Sequence, residues 1–527
     1  MNKPAPSRKL TQSLGLAIAM VLAAPTHAAP GPLPKTPLFL TNSVEPNVFF
    51  LLDDSGSMDW EVMYPDGTAG IASSGGMPIL NGQNVAYWHP GWHGNYMYNW
   101  WVEVIPPANW SDPDPTVTWE DNLWVLRNHN ANKLYYNPEV TYTPWKGSDS
   151  SGNPLYQDAN PTAVLRDPTD PGGDTVDLTQ TYDWWDFTTG TTYNDVTYLP
   201  SYYTWDADTD GDGEIDPDEP HTLYEIKPST PTYPSGRSYA EELQNYANWF
   251  QYYRKREFAT KAAVGGVINN TDATRMGLRV INDGQIQDVV TMTNPTNKRN
   301  FLQLFYDTPS QQAGTPLRRG LDRTGEYFME TGGGAPILPA DQGGECQQNF
   351  ALVMTDGFWN GGTPGGIGNA DGDNSSDWDG DSTQSIDGGN YADNFSVTLA
   401  DVAMFYYETD LRGLANKVPT TDGVDLNDQQ HLVTYTISFG LKGTLDPETD
   451  APTDTGFAWP DPMPGGNDLE KVDDLFHAAY NGRGLYLSAQ DPVELETSLN
   501  TALTDIAERT ATAAAVAVNS ARLTSES

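Results

Sequence analysis

Five oxygen-bearing side chains at three points of the sequence have the types and spacing to hold a hard divalent cation. Asp53-x-Ser55-x-Ser57 offers one carboxylate and two hydroxyls at alternating positions of a tight turn, where all three can face one ion. Thr315, in Gly314-Thr315-Pro316, opens a predicted helix, and Asp356, in Thr355-Asp356-Gly357, closes a predicted strand. With no His or Cys in the set, the donors suit Mg2+, Mn2+ or Ca2+ and not zinc or copper. Few direct carboxylates leave positive charge on such an ion. An open coordination position can then accept a carboxylate from a partner protein.

A second acidic segment runs from Asp206 to Glu219. Read from Asp208, it places Asp208, Asp210, Asp212 and Asp216 at positions 1, 3, 5 and 9 of a twelve-residue calcium loop. Gly213 falls at position 6, Glu214 at 7 with its backbone carbonyl, and Glu219 at 12 with a carboxylate able to bind through both oxygens. Starting at Asp206 puts Pro217 at the twelfth position and fits worse. The flanks carry no helical pattern, which predicts an isolated Ca2+ loop and not a paired sensor. The acidic, Gly-rich run 369–381 is irregularly spaced and suits either a solvated loop beside the first site or a third ion site.

Other constellations carry less. His89 and His93 have i, i+4 spacing, but Pro90 and Gly91 forbid the helix that would align them. No Gly-rich loop ends in Lys-Ser or Lys-Thr, so no nucleotide phosphate site is visible. Ser55 and Ser57 have no histidine placed to activate them, and ion ligation explains them better than nucleophilic catalysis. The chain reads as non-enzymatic.

The elements that must position these residues are strands and helices in alternation. Val48–Leu52 and Phe350–Met354 are continuous apolar runs, as expected of strands buried on both faces of a parallel sheet. Helical periodicity from Tyr239 predicts one helix reaching Ile268. Strands are expected at 276–281 and 286–292, then helices at 298–306 and from Gly314-Thr315-Pro316 to Phe328. A helix at 398–411, a strand at 432–439, a helix at 469–480, a strand at 484–487 and a helix at 493–515 complete the series. The fold class is α/β, a doubly wound and mostly parallel sheet. An aromatic-rich segment, 67–235, interrupts it after the first strand. It holds Trp88, Trp92, Trp100, Trp101, Trp110, Trp119, Trp124, Trp145, Trp184, Trp185 and Trp205, and predicts short strands and long loops around a small core.

The 527 residues suffice for two or three cores, and 71 Asp+Glu against 28 Lys+Arg give a net charge of −43. So acidic a surface repels DNA, RNA and anionic lipid. Lys3, Arg8 and Lys9, an apolar run from Leu14 to Ala24 and small residues to Ala28 read as a cleaved secretory signal, 1–28. No later run is long enough to anchor the chain in a membrane. Cys346, the single cysteine, closes no internal disulfide and reads as a buried thiol.

The ordered set D-x-S-x-S, G-T-P and T-D-G resembles the metal-ion-dependent adhesion site of von Willebrand factor A domains. On that likeness, 46–66 and 236–515 form the A-like domain, 67–235 its insertion, 29–45 a linker, and 516–527 a tail towards a further carboxyl-terminal domain. More specific strings resemble the amino-terminal half of the PilY/PilC family of type IV pilus proteins. They are Glu45-Pro46-Asn47-Val48 through Met58, Leu134-Tyr135-Tyr136-Asn137-Pro138 through Trp145, Asn248-Trp249-Phe250-Gln251-Tyr252-Tyr253-Arg254, Cys346-Gln347-Gln348-Asn349-Phe350 through Trp359, Thr398-Leu399-Ala400-Asp401-Val402-Ala403 through Arg412, and Val518-Asn519-Ser520. The resemblance implies an exported protein of the periplasm, pilus tip or outer cell surface, working with minor pilins in pilus assembly and in adhesion. Retraction control belongs to a β-propeller that such proteins carry beyond the region matched here, and is not implied. The alternative is a free secreted adhesin that binds host matrix or glycan and has no pilus role.

Overall fold

The computed structural model describes residues 44–65, 73–74, 77–80, 83–87, 102–105, 124–180, 182–186, 191–213, 215–216, 218–311, 313–372, 390–463 and 469–524. Its central sheet has six strands: β1 (Asn47–Leu52), β2 (Arg275–Val280), β3 (Gly284–Thr291), β4 (Asn349–Thr355), β5 (Val433–Phe439) and β6 (Arg483–Ala489). They lie in the order β3-β2-β1-β4-β5-β6. All neighbours are parallel except β2 and β3, which form an antiparallel hairpin at one edge. Every residue of β1, β4 and β5 is buried; β1 and β4 are accordingly almost continuously apolar, whereas β5 alternates apolar residues with the buried Thr434, Thr436 and Ser438.

Helices cover both faces. Val48, Phe50 and Leu52 of β1 point into a core shared with α2 (Arg256–Asn270), α3 (Pro295–Asp307) and α7 (Pro492–Thr524). Phe49 and Leu51 point the other way, towards α4 (Leu317–Phe328), α5 (Leu399–Glu408) and α6 (Glu470–Asn481). α4 and α5 meet closely at Gly325, where a Cβ would fall 2.2 Å from the Tyr406 ring.

The single helix expected from Tyr239 is two. A capping box of Ser238 and Glu241 starts α1 (Tyr239–Tyr252), which stops before α2 begins at Arg256. The break has a tertiary cause. The Arg256 amide donates to the Trp60 carbonyl at 3.1 Å, and Arg254 Nη1 turns back onto the Phe250 carbonyl at 2.7 Å. Cys346 is also corrected: it is exposed, at the end of a surface 3-10 turn (Gly344–Cys346) that leads into β4.

The segment between β1 and α1 contributes short strand pairs, Val164–Leu165 with Thr175–Val176, Tyr182–Asp186 with Thr191–Tyr198, and Ser201–Trp205 with His221–Glu225, and a small four-stranded sheet between 73 and 105. Its described core is aromatic: Tyr135, Tyr136, Tyr142 and Tyr202 pack against Tyr246, Trp249 and Phe250 of α1. Trp145 reaches further and stacks on Tyr306 of α3, ring centroids 5.0 Å apart. Asn245, Asn248 and Gln251, three apart along α1, hold the same segment by its backbone. They accept from the amides of Tyr142, Ala159 and Leu165 at 2.8, 2.9 and 2.9 Å.

The expected signal (1–28), most of the linker (29–43), the histidines His89 and His93, Trp88, Trp92, Trp100, Trp101, Trp110 and Trp119, Glu214 and residues 373–381 lie outside the described residues. Among those described, no helix is long and apolar enough to cross a membrane.

Candidate metal centres

The strand order reverses between β1 and β4: the chain leaves β1 for β2 on one side and later returns to β4 on the other. In open α/β sheets the crevice beyond the carboxyl ends of two such strands is where ligands bind. Leu52 of β1 lies opposite Met354 of β4, so the residues that follow each strand emerge side by side. The Asp53 amide donates to the Met354 carbonyl at 3.0 Å and carries the pairing one residue past the strand.

The polar groups there are linked. Asp53 Oδ1 accepts from the Ser55 amide at 2.8 Å, and its Oδ2 accepts from the Thr355 hydroxyl. Ser55 Oγ and Ser57 Oγ are 3.1 Å apart, and Ser57 Oγ donates to Asp356 Oδ1 at 2.9 Å. Asp53, Ser55 and Asp356 are buried. Burial first, and the nearby Asp356 charge second, push the Asp53 carboxyl up to about 7. Two like-charged carboxyls out of water, with hydroxyls between them and no nitrogen or sulfur donor in the set, fit a hard divalent cation, which relieves both penalties.

Thr315 is brought to the same end of the sheet through its backbone. The Gly56 amide donates to the Ala313 carbonyl at 3.0 Å, the Thr315 amide donates to Asn360 Oδ1 at 2.9 Å, and the Asn360 amide returns to the Thr315 carbonyl at 2.8 Å. A Cβ at Gly314 would sit 2.5 Å from Asn360 Oδ1, so a larger residue there would push that side chain off the Thr315 amide.

Sequence reasoning missed three supports. Asp54 accepts from the Asn282 and Asp283 amides at 2.8 and 3.2 Å and clamps the β2–β3 turn beside the site. Thr355 buttresses Asp53. Arg256 forms a buried ion pair with Asp356 Oδ2 at 2.8 Å. The one available signal was Arg254-Lys255-Arg256, three consecutive cations in a strongly acidic chain. They pair respectively with Glu61, Asp59 and Asp356.

The second acidic segment closes a β-hairpin, between Ser201–Trp205 and His221–Glu225, and has no helical flanks. Ligand atoms of Asp208, Asp210 and Asp212, all exposed, lie within 4.8 Å of one another. Asp208 accepts from the Gly211 and Gly213 amides at 2.6 and 2.9 Å, and both glycines have left-handed φ, +82° and +81°. Glu219 folds back across the loop and accepts from the Thr209 and Asp216 amides at 2.7 and 3.0 Å and from Trp205 Nε1 at 2.7 Å. Desolvation and the neighbouring charges of Asp210, Asp212, Asp218 and Glu219 hold the Asp216 carboxyl above its usual range. Such crowding of carboxylates is what a bound cation offsets.

The chain is similar along nearly its whole length to the Type IV pilus biogenesis factor PilY1 of Pseudomonas aeruginosa. The protein of strain UCBPP-PA14 is 29% identical over 96% of this chain and 42% of the relative. That of strain PAK is 27% identical over 97% of this chain and 43% of the relative. The chain thus spans less than half the length of the curated relatives it matches. No family model matches. Among solved structures, the pilus adhesin SpaC of Lactobacillus rhamnosus GG aligns with 48% of this chain and 28% of its own, at 13% identity and a TM-score of 0.24. That is too little shared geometry to bear on the fold.

Proposed function

We propose that this chain is a non-enzymatic, metal-dependent adhesion and assembly module of type IV pili, acting at or near the pilus tip together with minor pilins. The observation that carries the metal half is the meeting of Asp53, Ser55 and Ser57 with Asp356 beyond the two strands where the sheet order reverses. The pilus half rests on the name of the relatives. In this reading the sheet is a von Willebrand factor A-like domain, 46–66 and 236–515, and 67–235 is its insertion. Asp53, Ser55, Ser57, Thr315 and Asp356 hold Mg2+, Mn2+ or Ca2+, and the ion supplies an open position to a partner's carboxylate. Asp208, Asp210, Asp212, the carbonyl of Glu214, Asp216 and Glu219 hold Ca2+ and order the hairpin tip. The amino-terminal signal sends the chain out of the cytoplasm.

Sheared pili from cells producing the wild-type chain or Asp53→Ala test both halves. Chain in the sheared fraction, with piliation or attachment lowered by Asp53→Ala, is the expected result. Chain recovered only from the culture medium overturns the pilus half and favours the free adhesin that binds host matrix or glycan. Unchanged attachment and piliation with Asp53→Ala overturn the metal half.

A further inference from the structure

On the other helical layer, between the loop after β4 and α6, four buried or half-buried acids gather around one histidine. Two of them are accounted for by α5. Asp401 closes the capping box with Thr398 at the start of that helix and also accepts from the Ala370 amide at 2.7 Å. Asp474 accepts from the Leu399 and Ala400 amides at 2.9 and 3.0 Å. Asp371 and Asp393 cap no helix, and they face His477.

The geometry points to a further metal site here, with Asp371, Asp393 and His477 as ligands to a transition cation of the zinc class. One ligand atom from each of the three lies within 4.8 Å of the others. Their side chains are 0%, 3% and 2% exposed. The His477 ring is held flat against Trp459, centroids 4.0 Å apart, and its Nε2 lies 2.5 Å from the Tyr391 carbonyl. A carbonyl only accepts, so Nε2 carries the hydrogen and the Nδ1 lone pair is free to bind. This is the way a ligating histidine is usually oriented, by a backbone carbonyl on its other nitrogen.

What Nδ1 faces is Asp393 Oδ2, 3.6 Å away, and that buried oxygen has no hydrogen-bond partner among the described residues. Two acceptors therefore confront each other out of water with nothing between them, which needs either a cation or a proton. Asp371, whose Oδ2 accepts from Asn481 Nδ2 at 2.9 Å and lies 3.3 Å from Nε2, brings the third ligand atom within the same 4.8 Å. Burial pushes Asp371 up to about 8 and Asp393 to about 7, and drives His477 down to about 3. A nitrogen donor with two carboxylates separates this site in kind from the two all-oxygen sites. The three ligands lie on three separate stretches of sequence, so the ion ties α6 to the chain around Asp371 and around Asp393.

Cobalt reports a nitrogen-bound site by its visible d–d absorption. The full chain, stripped with chelator and titrated with Co2+, is expected to bind one equivalent with that absorption. Zn2+ should displace it, and Asp53→Ala and Asp208→Ala should leave it unchanged. Asp393→Asn keeps the acceptor for the Phe395 amide and removes the charge, so it is expected to abolish the band. His477→Gln serves as a second variant if Asp393→Asn fails to fold. A wild-type chain that shows no such band under excess Co2+, or a band untouched by both variants, overturns the site; the cluster is then closed by a shared proton.

Discussion

Arg256 Nη1 lies 2.8 Å from Asp356 Oδ2, with 1% and 0% of the two side chains exposed, at the point where the sheet order reverses. The pair sets the charge of the principal candidate site. Asp356 offers one oxygen to the Ser57 hydroxyl and the other to the guanidinium, so its negative charge is already half spoken for before any cation arrives. The guanidinium is itself fixed by the Val62 carbonyl at 3.0 Å and by the face of Trp60, both on the loop that follows the Asp53 turn. The α1–α2 break and the site are therefore one construction. The residue that opens α2 donates its amide to Trp60 and its side chain to Asp356.

Removing the guanidinium leaves a buried carboxylate uncompensated. Arg256→Met is expected to cost about 3–5 kcal/mol of stability, the range for breaking one partner out of a buried pair. A saturating divalent cation supplies the missing charge, so urea melts with Mg2+ or Ca2+ should recover part of the loss. Equal losses with and without cation would place Asp356 outside the ion's reach.

Asp53 gives the site its pH dependence. With its carboxyl pushed up to about 7, cation and proton compete for it, and cation affinity should fall by up to about tenfold for each pH unit below that point. In the ion-free chain the sign for stability follows from which state gives up its proton first. The unfolded carboxyl ionises near 3.8 and the folded one near 7, so this group lowers stability as pH rises through that interval. Titration calorimetry between pH 5.5 and 8, using about half-unit steps, tests the first claim, and melts in chelator test the second. Asp53→Asn should flatten both profiles.

The hairpin loop belongs to a two-stranded sheet of its own, apart from the six-stranded sheet that carries Asp53. Asp208→Ala removes the carboxylate at the first loop position, a candidate ligand, together with the acceptor of the Gly211 and Gly213 amides. One calcium event should disappear from the titration, while the event abolished by Asp53→Ala stays within error, as expected for distant sites. Protection of the Ser201–Glu225 hairpin from proteolysis by Ca2+ should vanish with it. An unchanged calcium stoichiometry in Asp208→Ala would remove the loop from the list of ion sites.

How much of this was legible in the residues depends on what fixes each feature. β1 and β4 could be read because they meet burial on both faces with continuous apolar runs, and their polar ends then marked Asp53 and Asp356. The break after Tyr252 could not, because Arg254 and Arg256 are good helix formers and the break is imposed by Glu61 and Trp60, nearly two hundred positions earlier. Asp371, Asp393 and His477 show no spacing motif, since three different segments deliver them. Cys346 was misread because cysteine usually prefers the interior, and here a 3-10 turn carries it to the surface.

The grip of α1 on the preceding segment makes a final prediction, and it concerns polar groups where an apolar helix face was expected. Leu243, Tyr246 and Phe250 do form an apolar stripe, yet beside it Asn245, Asn248 and Gln251 satisfy backbone groups of residues 140–165. Asn248 is the most committed. Its Oδ1 accepts from the Ala159 amide at 2.9 Å, and its Nδ2 donates to the Tyr142 carbonyl and to Asp158, each at 3.0 Å. Asn248→Ala orphans a buried amide and a buried carbonyl, at about 1–3 kcal/mol for each group left unsatisfied. Asn248→Asp keeps the acceptor and loses the donor, and it adds a second carboxylate beside Asp158. It should therefore destabilise at least as much despite its near-identical shape, and the gap between the two variants should narrow in acid, where the new carboxyl is protonated. Because these bonds hold a segment and do not build the sheet, the loss should show first as proteolytic cutting between 140 and 165, with cation binding at Asp53 intact. A variant that melts like wild type and resists cutting would mean that water replaces these bonds freely, and that the aromatic core around Tyr136 and Trp249 alone holds the segment in place.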